Sequence, residues 1–169
     1  MAIWRDGGFA DDIWTTLDDS APIPTRGAVI VSFARWSADK AALEARADPV
    51  GVTIVAGKDA VAELAEAAKR PLIALSFEKF ADGRAFSYAE LLRERCGFTG
   101  DLRAIGDVLL DEIPLMQRCG FSSFDVTDVH TLRALKEGRL PKRSLFYQPA
   151  LGPREAPAGT RPWLRRAAG

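Results

Sequence analysis

Histidine is almost missing from this chain. His130 is the single copy, and the cysteines number two, Cys96 and Cys119. So few ligands build neither a Cys/His zinc site nor a disulfide framework, and no metal site is expected. With one imidazole and no G-x-S-x-G elbow, a Ser-His-Asp triad has little to work with. No apolar run approaches the ~18 residues that cross a bilayer. The opening stretch, 1–12, lacks the basic-then-apolar layout of a secretory leader. Charge of one sign is lacking too: 23 Lys and Arg face 23 Asp and Glu. No global field therefore draws the chain to nucleic acid or to an anionic membrane. The expectation is a cytoplasmic protein with neither as partner. The phosphate cradles G-x-x-x-x-G-K-[ST] and G-x-G-x-x-G do not occur. No flavin, nicotinamide, haem or iron–sulfur ligand pattern occurs either, so no cofactor is evident.

What is present is an ordinary globular balance over 169 residues, long enough to bury roughly 70 percent of its unfolded surface in one core. A single domain is expected over 1–148, followed by a Pro/Gly/Arg-rich tail over 149–169. Within the domain, 1–26 reads as a hairpin and linker: Asp6-Gly7-Gly8 is turn chemistry between apolar residues, and Pro22 and Pro24 mark a connection. From Gly27 onward, short apolar runs alternate with helical stretches. Strands are expected at 28–33, 51–55, 72–77, 102–105 and 121–126. Helices are expected at 37–46, 59–69, 87–96, 108–118 and 129–136, with Ser37 capping the first and Ser87-x-x-Glu90 a capping box for the third. Pro114 sits awkwardly inside the fourth. The alternation predicts an α/β fold with a mostly parallel sheet of about five strands and crossover helices, either open or curled into part of a barrel.

Chemistry concentrates at two loops that leave successive strands at one pole. The first, 78–84, is long and polar, carries Lys79 and turns at Asp82-Gly83 towards Arg84. The second is Gly106-Asp107. Arg103 is out of place in a strand expected to be apolar on both faces, and by period two it shares a face with Asp107. Its guanidinium needs a partner, and Asp107 or Asp82 is in sequence position to provide one. Lys79, Asp82, Arg84, Arg103 and Asp107 are thus a candidate cluster for a small anion, set against the plainer reading of a salt-bridged clamp. Asp107 alone also reads as a helix cap. Arg93 is expected on a solvated helix face, sharing Glu90 and Glu94. Arg95-Cys96-Gly97-Phe98 recurs as Arg118-Cys119-Gly120-Phe121, a pattern of helix end and return to the sheet. Both cysteines fall at helix C-termini, where partial negative charge disfavours a thiolate. A thiol relay is the lesser reading.

One long string resembles a known bacterial family. It comprises Phe77-Glu78-Lys79-Phe80, Asp82-Gly83-Arg84, Ser87, Leu91-Leu92-Arg93-Glu94-Arg95, Gly97-Phe98, Leu102-Arg103-Ala104, Gly106-Asp107-Val108-Leu109, Asp111 and Arg118-Cys119-Gly120-Phe121. The family is the domain of unknown function numbered nine hundred and thirty-four, which carries a label of oxidoreductase in sulfite reduction. This chain departs from its pattern at Glu78, where proline is common, at Ala85-Phe86, where Gly-Tyr is common, and at Glu112, where glutamine is common. Family genes neighbour those for sulfite reductase and a sulfonucleotide reductase. The resemblance therefore implies a role in assimilatory sulfate and sulfite reduction, with sulfite reductase as the partner. The alternative that it leaves open is an enzyme acting on a small sulfur oxyanion or phosphorylated substrate at the Arg/Asp pole.

Overall fold

Asp6 and Gly7 both adopt positive φ, 50° and 83°. That is the backbone of the two-residue turn whose twist suits a hairpin. It joins β1 (Ala2–Arg5) to β2 (Gly8–Ala10) in antiparallel register, Ile3 opposite Ala10 and Arg5 opposite Gly8. The computed structural model describes residues 2–57, 60–78 and 83–141. Of the expected cluster, Lys79 and Asp82 lie outside the described residues, as does the tail over 149–169.

Three residues after β2 the chain enters β3 (Trp14–Thr16), which pairs in parallel with β4 (Ala28–Ser32). Then follow β5 (Val50–Val55), β6 (Leu72–Phe77), β7 (Asp101–Gly106) and β8 (Ser123–Val126), each parallel to the one before. Strand β8 then pairs antiparallel with β1. The result is one mixed eight-stranded sheet, ordered β2-β1-β8-β7-β6-β5-β4-β3. It is larger than the five-stranded, mostly parallel sheet expected. The hairpin adds two antiparallel strands, and β3 adds a further parallel one, too short and polar to be recognised in sequence.

The order hides a constraint. Its two edge strands, β2 and β3, are separated by only Asp11, Asp12 and Ile13. Eight flat strands would hold their edges roughly 34 Å apart, yet three linking residues reach at most roughly 14 Å. The sheet must curl. Its register does the same: Gly8, Arg5, Ser123, Arg103, Ala74, Thr53 and Ser32 lie level across seven strands. Ser32 is four residues beyond Ala28, whose partner is Trp14. The ladder therefore returns to the segment it left about ten residues further on, the stagger of a barrel-like sheet. No described pairing joins β2 to β3, so the curl stays open.

Sequence-ordered parallel strands with right-handed crossovers put every helix on the same face. The helices are α1 (Phe33–Ala38), α2 (Lys40–Glu44), α3 (Ala60–Ala67), α4 (Arg84–Glu94), α5 (Ile113–Arg118) and α6 (Val129–Lys136). Between them and the sheet lies the main core, with Val31, Val52, Ile73, Leu75, Leu102 and Phe124 from strands meeting Trp36, Leu43, Leu64, Leu92, Ile113 and Met116 from helices. The inner face has only a small apolar cluster of Ile30, Leu72 and Ala74, flanked by Trp14 and Ile105.

Local details correct several expected boundaries. The helix expected over 37–46 begins directly after β4, where Ser32 Oγ accepts the Arg35 N–H at 3.1 Å, and it breaks at Asp39. α4 starts at Arg84 with Gly83 as its cap, so Ser87 lies inside the helix. Pro114 occupies the first turn of α5, where its missing N–H costs no hydrogen bond. Asp107 is therefore no helix cap. Arg93 leaves the solvated face: it donates to the carbonyls of Gly120 at 2.8 and 2.9 Å, Phe98 at 2.7 Å and Gly100 at 3.0 Å.

Gly106 closes β7 at φ 88°, and a Cβ there would overlap the Phe77 carbonyl. Gly106→Ala is expected to lower unfolding stability by about 3 kcal/mol, left-handed strain and overlap together. Gly7→Ala, with φ 83° and open space around it, is expected to lose only about 1 kcal/mol. Urea denaturation of the two variants checks the order.

Candidate functional site

Arg103 is the most informative polar residue. It sits mid-strand in β7 on the inner face, its side chain 4% exposed. Asp107 or Asp82 is the partner expected from sequence; the partner found is Asp12. Its Nη1 and Nη2 donate to the two Asp12 carboxylate oxygens at 2.8 and 3.0 Å, a bidentate fork. Asp12 is the middle residue of the three that join β2 to β3. The clamp thus ties the inside of the sheet to the link between its edges.

Other polar groups complete the network. Asp101 lies 3.7 Å from Arg103 and pairs with Arg5 at 2.6 Å. The hydroxyls of Ser122 and Ser123 each donate to Asp101 Oδ1 at 2.7 Å. Asp125, one residue along β8 from Phe124, faces inward with a sealed Oδ1 that has no hydrogen-bond partner. Burial raises its pKa; Arg103 pulls the other way and Asp12 adds to the rise. Two guanidiniums thus face three carboxylates. All of this lies towards the N-terminal ends of the parallel strands, the pole where βα folds carry stability rather than ligands.

The opposite pole holds Arg84 and Asp107, the other described members of the expected cluster. Arg84 opens α4 after β6, and Asp107 follows β7 and is exposed, its N–H donating to the Phe77 carbonyl at 2.9 Å. These two loops leave adjacent strands at one rim, as expected, but Arg103 is not with them. Glu112 stands in the same loop as Asp107. Burial, then the nearby charges of Asp111 and Asp107, push its carboxyl above the usual range. No cluster suited to a metal ion occurs among the described residues.

The cysteines are placed as their helix positions imply. Cys119 is 5% exposed, and its Sγ–H points at Glu90 Oε1, 3.6 Å away. Burial first, and Glu90 second, push its thiol up to about 12. Such a thiol is neither nucleophile nor relay at neutral pH. Both copies of the Arg-Cys-Gly-Phe motif end a helix and bury their phenylalanine, Phe98 and Phe121, at the return to the sheet. His130 is exposed on the first turn of α6 and bounds a groove of about 370 Å³ with Asp111, Arg133 and Arg139.

Sequence reasoning missed Arg5, Asp12, Asp101, Ser123 and Asp125. A signal existed for three of them. Asp101-Leu102-Arg103-Ala104 and Ser123-Phe124-Asp125-Val126 alternate strictly between polar and apolar residues, the mark of a strand buried on one face. Nothing local announces Asp12, whose partner is 91 residues away.

Fold and site together define a singly wound βα protein, with an ion-paired inner face at one pole and polar loops at the other. The family model described as “Bacterial protein of unknown function (DUF934)” matches residues 51–157, well over half of the chain, and the chain belongs to that bacterial family. Neither the curated proteins nor the solved structures gave a match.

Asp12→Asn strips Arg103 of its bidentate partner and is expected to lower unfolding stability by about 3 kcal/mol. Adding Arg103→Met should cost less than about 1 kcal/mol more, because the pair acts as one unit. A denaturation double-mutant cycle tests this, and simple additivity would refute the clamp. For the thiols, an aromatic disulfide reagent at pH 8 should modify Cys96 in the folded protein and Cys119 only after unfolding. A folded Cys96→Ser variant should give no rapid release of chromophore.

Proposed function

We propose that this protein is an accessory factor of assimilatory sulfate and sulfite reduction in the cytoplasm, acting by association with sulfite reductase. The pathway rests on the resemblance carried by the string from Phe77 to Phe121. The mode of action rests on one observation, the bidentate closure of Arg103 on Asp12. The strongest inward-facing cation of the chain is committed to holding the sheet, so a two-arginine anion clamp of Arg84 and Arg103 does not form. Binding a partner through outer loops asks less of such a scaffold than catalysis on its inner face.

A second reading is favoured by the raised carboxyl of Glu112. In it, the rim of Arg84, Asp107 and Glu112 handles a small sulfur oxyanion or a phosphorylated substrate, the sequence candidates Lys79 and Asp82 lying outside the described residues.

Sedimentation velocity of the purified chain mixed with purified sulfite reductase of the same bacterium separates the two. Accessory function requires a faster-moving complex at micromolar concentration, retained in Glu112→Gln. Independent sedimentation throughout the concentration series overturns it.

A further inference from the structure

A second basic site lies at the opposite end of the molecule from Arg84. Where α2 and α3 end and where β5 and β6 begin, the surface folds into a groove of about 350 Å³. Its walls carry Arg46, Lys69 and Arg70 against Glu44 and Asp48, with Pro71 at its edge. The cations outnumber the carboxylates, and the carboxylates present are poorly used. Asp48 accepts from the Gly27 N–H at 2.8 Å. Glu44 forms a long ion pair with Arg70 at 3.6 Å, without a hydrogen bond.

Arg70 is the unusual member. Its side chain is only 19% exposed, and it makes no hydrogen bond with any described residue. Its Nε–H is sealed from solvent and has no acceptor. A guanidinium offers five donors in a fixed fork, and leaving buried donors unpaired is costly. The fork lies over the ring of Trp36, a fully buried anchor of the core, with Cζ 5.3 Å from the ring centroid. Arg46 makes no ion pair with a described residue. Its guanidinium spends Nη1 on the Pro24 carbonyl and Nη2 on that of Gly27 at 2.6 Å, and its Nε–H is sealed and unpaired like that of Arg70. Lys69 is exposed beside them and makes no ion pair with a described residue. At the end of α3 the Ala67 carbonyl accepts the Arg70 N–H at 2.8 Å, and in the last turn of α2 the Leu43 carbonyl accepts the Arg46 N–H at 3.4 Å.

We propose that this groove binds a tetrahedral oxyanion, held by the Arg70 fork with Lys69 as a second contact and Arg46 as fixed positive background. An anion seated there accepts from the Nη edge of the Arg70 fork and neutralises the excess charge of the groove. Phosphate and sulfate share the chemistry, whether as the free ion or as the end of a small ester. The site is independent of the rim at Arg84 and of the association with sulfite reductase.

Two-dimensional 1H–15N spectra of the full-length protein, following the arginine Nε–H resonances, test it by titration with inorganic phosphate at constant ionic strength. The Arg70 Nε–H signal is expected to shift and to saturate in the low millimolar range. Lys69→Gln should weaken binding about threefold, and Arg70→Gln at least about tenfold. Arg133→Gln, on the far groove, should leave it unchanged. Glycerol 3-phosphate binding more tightly than phosphate would assign the site to an ester, and equal binding to the free ion. A shift that stays linear in phosphate, that chloride reproduces, or that persists at full affinity in Lys69→Gln overturns the proposal.

Discussion

The link between Arg103 and Asp12 governs the architecture. A sheet whose edge strands are consecutive along the chain has no choice but to roll, and rolling brings its inner faces together. Side chains on that inner face must then either fill the space with carbon or satisfy one another. This chain does both in separate places. Ile30, Leu72 and Ala74 make a small apolar patch, and Arg103 with Asp12, Asp101, Arg5 and Ser123 makes the polar one. The arginine is 4% exposed and its partner 25%, so removing either partner leaves a charge largely out of water. Such a pair discriminates between folded arrangements more than it adds to total stability.

Much of the outer layer was legible in the sequence. Each run of branched residues became a strand within one or two residues of its expected limits, because strands buried against helices carry a strong apolar signal. Helix ends were harder. Ser37 and Ser87 have capping chemistry, yet Ser32 and Gly83 hold the cap positions, since the place where a strand delivers the chain outweighs local preference. Pro114 looked like a defect only while the helix was assumed to start at Val108. Composition also misled on the sheet. Expecting a parallel sheet covered on both faces made Arg103 an anomaly, whereas the alternation in β7 and β8 describes a sheet covered by helices on one face only.

The candidate cluster was legible in part for the same reason. Adjacent βα loops do emerge at one rim, which topology guarantees once the strands are consecutive and parallel. The direction taken by a long side chain from mid-strand is not guaranteed by topology. Arg103 turned to the pole where a carboxylate waited, and that carboxylate belongs to a segment with no sequence signal of its own. Equal numbers of acids and bases concealed the same kind of local detail at Arg46, Lys69 and Arg70. Whole-chain neutrality says nothing about a groove where two helices end.

The pairing of β1 with β8 has a consequence for how the molecule is made. Ile3 lies opposite Asp125, so β1, which pairs with β2 locally, waits for a strand more than a hundred residues later to cover its other edge. The βα units from β4 to β7 can assemble as they emerge, each against its predecessor. The outer edge of the hairpin must stay open until translation has passed residue 126. Closure is then a late, long-range event, and loop-closure entropy makes it the slow step of folding.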